Sequence, residues 1–218
     1  MVKAGTLLIL LLLFISTISW SQDPARFQEE IADITTRYDS LYDKSKATIV
    51  FTGSSSIRTW EDLQKVYPDY QVVNSGFGGS HASDLLAYAD ELILRFDPLK
   101  VFIYEGDNDL AERKRPRKII KDLQSILEKI WMENPRTEVV LIAAKPSLSR
   151  WHLRRKFQRF NRKTERMASK HPSLAFADVW SVMLEGEKIN KDLFIEDGLH
   201  MNQKGYDIWK QVLDPFVK

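Results

Sequence analysis

The chain has 218 residues, of which 44% are apolar and 28% charged, values that suggest one globular domain and exclude a disordered chain, a collagen-like fibre and a multi-span membrane protein. Lys and Arg total 32 against 30 Asp and Glu, so the net charge of +2 gives no overall attraction to nucleic acid. The absence of cysteine excludes disulfides, thiolate zinc sites and a cysteine nucleophile.

The first 21 residues differ in composition from the rest. Lys3 precedes an almost wholly apolar run from Thr6 to Ile18, and Ser19-Trp20-Ser21 offers small residues at positions −3 and −1 of a cleavage site. This layout predicts a signal peptide over residues 1–21, with an uncleaved anchor as the alternative. The apolar run is shorter than the roughly 20 residues that span a bilayer. Cleavage would leave residues 22–218 as one secreted or periplasmic domain with no stable membrane insertion.

Helical and strand patterns alternate along that domain. Asp23-Pro24 is typical of a helix N-cap followed by proline, and apolar residues from Phe27 to Leu41 then recur at helical spacing, which predicts an N-terminal helix within residues 22–46. We predict strands at 47–52, 70–74, 100–104, 138–143 and 173–177, and further helices at 83–96, 116–133, 154–170 and 203–213. The alternation predicts an α/β fold with a parallel sheet covered on both faces, and leaves the strand order open.

Polar residues stand where the predicted strands end and before the last helix. The four segments are Gly53-Ser-Ser-Ser56, Asn74 with Gly76, Gly78 and Gly79, Gly106-Asp-Asn-Asp109, and Asp197-Gly-Leu-His200. Ligand sites in open α/β sheets lie beyond the carboxyl ends of the strands. The segments together supply a hydroxyl, backbone N–H groups, an amide, a carboxylate and an imidazole, which are the parts that acyl transfer through an oxyanion needs.

Each segment also has a simpler interpretation. The serines are compatible with a turn or a helix cap, and the glycines with a phosphate nest, although no complete nucleotide motif is present. Gly106–Asp109 could form an Asx turn or a calcium loop, but the spacing of an EF-hand is missing. Asp197 and His200 could be a surface ion pair or two metal ligands. His81 could line a cleft, whereas His152 on a loop and His171 at a helix end are interpreted as structural.

The four segments, in this order, resemble the sequence blocks of the SGNH hydrolases, also called GDSL-like esterases. The matching residues are Phe51–Ile57, Asn74–Gly79, Gly106–Asp109 and Asp197–Asn202 with Gly205-Tyr206, and the resemblance extends over about residues 47–216. It implies a three-layer α/β/α sandwich with a five-stranded parallel sheet, similar to flavodoxin.

The resemblance also implies a role for each site residue. Ser55 matches the nucleophile, while Ser54 replaces the Asp of the family's Gly-Asp-Ser. Asp197 and His200 match the acid and the base. The oxyanion hole would comprise the backbone N–H groups of Ser55 and Gly79 and the side chain of Asn108. Neither a cofactor nor a metal is implied, and Asp109 is expected to hold its loop in place.

These features predict a secreted serine esterase that hydrolyses short-chain, most simply acetyl, esters of small molecules or carbohydrates. A lysophospholipase-like lipid esterase and a catalytically inactive secreted binding protein of the same fold are the alternatives. Nucleic acid is not an expected partner. The oligomeric state and the role of the segment Lys145–Trp151 are left open. Two basic stretches, 113–118 and 150–170, are interpreted as solvated surface, with binding of anionic polysaccharide or lipid headgroups as the alternative.

Overall fold

The computed structural model describes residues 23–218, so the predicted signal peptide over residues 1–21 lies outside the described residues. The strands of the main sheet are β1 (Thr48–Gly53), β2 (Gln71–Gly76), β3 (Lys100–Tyr104), β4 (Glu138–Ile142) and β5 (Leu174–Ala177). They pair in parallel throughout, in the order β2-β1-β3-β4-β5. This order puts the first two strands after the N-terminal helix next to each other and makes β1 an inner strand.

Helices cover both faces of the sheet, which confirms the predicted three-layer α/β/α sandwich. They are α1 (Gln28–Leu41), α2 (Ser55–Arg58), α3 (Leu63–Val66), α4 (Ala82–Ala87), α5 (Ala89–Leu92), α6 (Asp107–Ala111), α7 (Pro116–Glu133), α8 (Arg154–Ala168), α9 (Val179–Val182) and α10 (Gln203–Val217). One core cluster contains residues of α1, α4, α5, α7 and α8, and the other contains residues of α2, α3, α9 and α10. An antiparallel hairpin, β6 (Leu184–Glu185) and β7 (Lys188–Ile189), precedes α10.

The strands are apolar on both sides because each side packs against a layer of helices. Along β1, Val50 belongs to one core cluster and Phe51 to the other, and every residue of the strand is buried. Phe51 stacks on Phe102 of β3 with ring centroids 4.3 Å apart. Among residues 23–218, no helix is long and apolar enough to cross a membrane.

The predicted helix over 83–96 is wrong as a single element. The chain leaves helical geometry at Tyr88 and again at Ile93, which divides the segment into α4, α5 and a 3-10 turn. The two helices pack against different neighbours, α4 against α7 and α5 against α1. The spacing of the apolar residues therefore predicts correctly that they are buried. The segment nevertheless divides, because its two helices pack against different partners.

The last helix extends four residues beyond its predicted end at Leu213, to Val217, with Pro215 inside it. Side chains from the sheet layer hold this final turn. The hydroxyl of Tyr70 donates to the carbonyl of Val217, and Nζ of Lys100 donates to that of Phe216. These tertiary bonds, which the local sequence does not reveal, satisfy two carbonyl groups of the last turn that have no N–H partner within the helix.

Candidate active site

The first strand ends in a turn that only glycine fits. Gly53 has φ +117°, and a Cβ there would lie 2.0 Å from the carbonyl oxygen of Tyr104 on β3. The next backbone N–H, that of Ser54, donates to the same carbonyl at 3.0 Å. Because the chain turns this closely against β3, Ser55 emerges as the first residue of α2 at the carboxyl edge of the sheet.

The three consecutive serines differ in exposure. Ser54 is 0% and Ser56 2% exposed, whereas Ser55 is half-buried. Oγ of Ser55 lies 2.9 Å from Nε2 of His200, a residue 145 positions further along the chain. Of the three hydroxyls, that of Ser55 is the one beside an imidazole.

Asp197 completes a line of side chains behind His200. Its Oδ2 lies 2.5 Å from Nδ1 of His200, and its Oδ1 accepts the backbone N–H groups of Leu199 at 2.8 Å and His200 at 2.9 Å. Since an ionised carboxylate only accepts hydrogen bonds, Nδ1 carries the proton and Nε2 presents its lone pair to Ser55. Oγ of Ser55 is thus placed to donate to a base.

Asp197 is held in its ionised form. Burial alone would raise the pKa of Asp197, but the hydrogen bonds from the His200 side chain and from the backbone N–H groups of His200 and Leu199 outweigh it and lower the pKa to about 2. The carboxylate therefore stays ionised at neutral pH, where it can fix the tautomer of the imidazole.

Asn108, on α6, joins the loops after β1 and β2. Its Nδ2 donates to Oγ of Ser54 at 2.9 Å and to the carbonyl of Ser80 at 3.0 Å. The amide nitrogen thus lies between the residue before Ser55 and the residue after Gly79. Gly79 is exposed with φ +74°, and apart from its two chain neighbours no described residue has an atom within 4 Å of where its Cβ would be. The structure brings together every predicted site residue at this edge of the sheet.

Buried carboxyl groups hold the loop that carries Gly79. Glu105 accepts the Ser80 hydroxyl at 2.6 Å, Asp84 accepts the backbone N–H of His81 at 3.0 Å, and Asp109 accepts that of Ala82 at 3.2 Å. Burial, followed by the charge of Asp109, raises the pKa of Glu105 well above its usual range. Burial likewise raises the pKa of Asp109 to about 6, against the opposing effect of Lys114, whose Nζ lies 3.1 Å away. The sequence predicts that Asp109 holds its own loop through Asx-type bonds to nearby backbone, whereas its carboxyl group contacts the loop after β2 and Lys114.

The segment after β4, whose role the sequence leaves open, contacts the site at two places. Nζ of Lys145, which is 1% exposed, donates to the carbonyl of Leu199 at 2.6 Å, and the backbone N–H of Ser149 donates to that of Gly198 at 3.1 Å. Burial lowers the pKa of Lys145 to about 8. At the other end, the guanidinium of Arg150 binds Asp107 and Asn108. Sequence reasoning did not assign Lys145 or Arg150 to the site, since their partners are distant in sequence.

Asn74 and three of the histidines, which the sequence offers as further candidate site residues, occupy structural positions in the fold. Asn74 donates to the carbonyls of Ile57 and Trp60 and so ties β2 to the region of α2. His81 is fully buried and does not line a cleft, and burial together with nearby cations lowers its pKa to about 3. His171 stacks on Trp131 with ring centroids 3.8 Å apart, and exposed His152 lies in a 3-10 turn. No group of three or more potential metal ligands occurs among the residues that the structure describes.

The basic stretch over residues 150–170 is only partly exposed to solvent. The buried side of α8 includes Phe157 and Phe160, while Met167 is half-buried. The outer face of α8 carries the exposed side chains of Arg155, Arg159, Arg162, Lys163 and Arg166. Arg150 and Lys156 differ from these, because Nζ of Lys156 donates to the carbonyl of Leu110 and Arg150 pairs with Asp107.

Comparison with known proteins gives a family match and structural neighbours. The model of the GDSL-like Lipase/Acylhydrolase family matches residues 23–208. None of the curated proteins compared with this chain matches it. A GDSL-like lipase from Bacteroides thetaiotaomicron is similar at 21% identity and a TM-score of 0.72, over 89% of this chain and 97% of that chain.

Two further solved structures have the same fold. A protein from Streptococcus pneumonia, described provisionally as a platelet activating factor, is 23% identical with a TM-score of 0.76, over 89% of this chain and 95% of that one. A family 3 carbohydrate esterase from Clostridium thermocellum is 14% identical with a TM-score of 0.62, over 78% of this chain and 96% of that one.

The serine assignment is testable by three single substitutions. We expect Ser55→Ala to lower kcat for an ester by about 10⁴-fold or more, because the nucleophile is lost. Ser54→Ala and Ser56→Ala are the matched controls and should keep measurable turnover, since neither hydroxyl contacts His200. Turnover is measured on folded proteins of equal circular dichroism. Activity retained by Ser55→Ala but lost in either control would show that another serine attacks.

The raised pKa of Asp109 predicts a pH-dependent stability difference. Its folded pKa of about 6 lies above the ordinary value of 3.8, so the folded state holds a proton that the unfolded state releases between those pH values. The stability of wild-type protein relative to Asp109→Asn should therefore fall as pH rises from 4 to 7, by about 3 kcal/mol at most. Urea unfolding at several pH values measures it.

Asp90→Asn, at an exposed residue paired with Lys129, is the control and should show no such pH-dependent difference. We expect Asp109→Asn to keep kcat within about threefold of wild type, because an amide oxygen still accepts the N–H of Ala82. A constant stability difference from pH 4 to 7 would contradict the raised pKa.

Proposed function

Since the chain belongs to the GDSL-like lipase/acylhydrolase family and is a carboxylic ester hydrolase, we propose that it cleaves short-chain acyl esters, most simply acetyl esters, by attack of Ser55. The observation that carries the proposal is the continuous line of hydrogen bonds from Asp197 through His200 to Oγ of Ser55. A serine hydroxyl is a weak nucleophile that needs such a base.

In the first half of the proposed reaction, Nε2 of His200 takes the proton of Ser55 as Oγ bonds to the ester carbonyl carbon. Asp197, bonded to Nδ1, stabilises the imidazolium that forms. His200 then donates the proton to the alkoxy oxygen as the carbon–oxygen bond breaks, and the alcohol leaves. The acyl group remains on Ser55.

The second half repeats these steps with water. His200 takes a proton from a water molecule, whose oxygen attacks the acyl carbon. The tetrahedral intermediate collapses, the bond to Oγ breaks, and the proton returns to Ser55. The products are a carboxylic acid and a regenerated hydroxyl, so the reaction requires no cofactor.

The oxyanion of both intermediates would be bound by the backbone N–H groups of Ser55 and Gly79 and by Nδ2 of Asn108. Neither backbone N–H has a hydrogen-bond acceptor within the described part of the chain. Both N–H bonds of Asn108 already have acceptors, so one of them must be shared with the oxyanion as its charge develops. A donor that is already oriented needs little rearrangement, which is the basis of its effect on the barrier.

The exposure of the site supports a short acyl group, because Ser55 and His200 are only half-buried and Asp197 is exposed. A carbohydrate esterase among the structural neighbours supports a sugar as the molecule to which the acyl group is attached. We therefore propose a carbohydrate or small-molecule ester as substrate.

One observation favours a lipid ester as the second candidate. Leu148 is 37% and Ile195 49% exposed, and both adjoin the loop that bears His200. The backbone N–H of Ile195 donates to the carbonyl of His200, and Cβ of Leu148 lies 2.9 Å from the position of a Cβ on Gly198. Such side chains could contact a long acyl chain outside a pocket.

A panel of esters separates these candidates. We expect kcat/KM of the protein beginning at residue 22 to be highest for acetyl esters of nitrophenol and of sugars, and to fall at least tenfold by octanoyl. Leu148→Ser/Ile195→Ser is the comparison variant and should change acetyl turnover little. A preference for long chains that this variant abolishes would favour the lipid ester. If no ester is turned over, the result would favour the alternative of a catalytically inactive binding protein.

We further propose that the chain is exported and cleaved after Ser21, on the basis of the apolar run from Thr6 to Ile18 and the small residues that follow it. N-terminal sequencing of protein from the native host should give Gln22 as the first residue. A membrane-bound protein that retains Met1 would favour the anchor instead.

A further inference from the structure

Arg150 makes two hydrogen bonds to neighbouring residues of α6. Nη1 donates to Oδ2 of Asp107 at 2.9 Å, and Nη2 donates to Oδ1 of Asn108 at 2.8 Å. The side chain of Arg150 is 17% exposed and that of Asp107 5%. A planar guanidinium with two donors therefore holds two adjacent side chains in a water-poor place.

The bond to Asn108 distinguishes the two ends of its amide group. These ends have nearly the same shape but opposite hydrogen-bonding character. Oδ1 accepts from Arg150, while Nδ2 donates to Ser54 and Ser80. In the flipped amide, two donors would meet at Arg150, and two acceptors would meet at the carbonyl of Ser80. The guanidinium and this carbonyl thus enforce one orientation from opposite sides.

That orientation decides whether Asn108 can stabilise an oxyanion. With Nδ2 toward Ser54, an N–H bond points to the residue before Ser55 and can be shared with the oxyanion. With Oδ1 in that place, a carbonyl dipole would repel the developing negative charge. Hydrogen bonds to a charged group are stronger than neutral ones, so a guanidinium is a firmer anchor for Oδ1 than a neutral donor would be.

We propose that Arg150 is a positioning residue, which fixes the amide of Asn108 in the orientation that donates to the oxyanion. This inference rests on the proposed function, and it gives a role to the segment after β4. Arg150 would act through Asn108 and not by touching the substrate, so its effect belongs to kcat more than to KM.

A double-mutant cycle tests this coupling. The variants are Arg150→Lys, Asn108→Ala and the two combined, with kcat and KM measured on the best ester of the panel. Lysine keeps the charge beside Asp107 but cannot bind Asp107 and Asn108 with one planar group. We expect Asn108→Ala to lower kcat about 10²–10³-fold with little change in KM. Arg150→Lys should lower kcat about tenfold or more.

In the Asn108→Ala background, Arg150→Lys should change kcat less than about twofold, because there is no amide left to orient. An equal loss in both backgrounds, a rise in KM alone, or no loss at all would overturn the proposal. Arg154→Lys is the matched control. Its guanidinium lies over the ring of Trp151 and contacts neither Asp107 nor Asn108, so we expect wild-type kcat.

A measurement without turnover keeps the test separate from the proposed function. The side-chain NH₂ signals of Asn108 in a ¹⁵N NMR spectrum are assigned by their loss in Asn108→Ala. We expect two resolved, slowly exchanging signals in wild type, and broadened or faster-exchanging signals in Arg150→Lys but not in Arg154→Lys. Unchanged signals in Arg150→Lys would overturn the positioning role even if no ester is hydrolysed. An inactive wild type with the expected spectral change would overturn the proposed function alone.

Discussion

β1 hydrogen-bonds to β2 on one side and to β3 on the other, with Gly53 opposite both Gly76 and Tyr104. This register brings three strands to an end in one row, so the segments that follow them emerge side by side. The close contact of Gly53 with the Tyr104 carbonyl then turns the chain toward Ser55. Because side chains alternate along a strand, a slip of one residue would point every side chain of β1 to the opposite face. Burial on both faces of the sheet thus helps to fix the place of Ser55.

The loop that carries Gly79 depends on buried carboxyl groups. Glu105, Asp107 and Asp109 follow β3 at alternate positions, and all three are nearly inaccessible to water. Burying carboxyl groups is unfavourable unless they are neutralised, paired or hydrogen-bonded. Glu105 accepts from Ser80, Asp107 pairs with Arg150, and Asp109 pairs with Lys114. The same contacts that offset this cost hold Asn108 and the loop that carries Gly79 in place, and preorganised donors of this kind are what the proposed mechanism needs.

Ser54 illustrates how a departure from a family pattern can fit its surroundings. Its hydroxyl is fully buried and accepts from Nδ2 of Asn108. A carboxylate in this fully buried position would have to be paired or neutralised, which is unfavourable. A neutral hydroxyl supplies the acceptor that Asn108 needs without that cost. The substitution is therefore compatible with an active site in which Ser55 is the attacking residue.

The sequence by itself determined the five strands, the longer helices and the chemical parts of the site, because these are local in origin. The apolar run of β1, the helical spacing of α7 and the three-residue interval between Asp197 and His200 are properties of neighbouring residues. Only the tertiary structure decided the strand order, the division of the helix over 83–96 and the contacts of Arg150. Arg150 meets Asn108 across 42 residues, and Ser55 meets His200 across 145. Such contacts depend on how layers pack, and no single segment contains the information that specifies them.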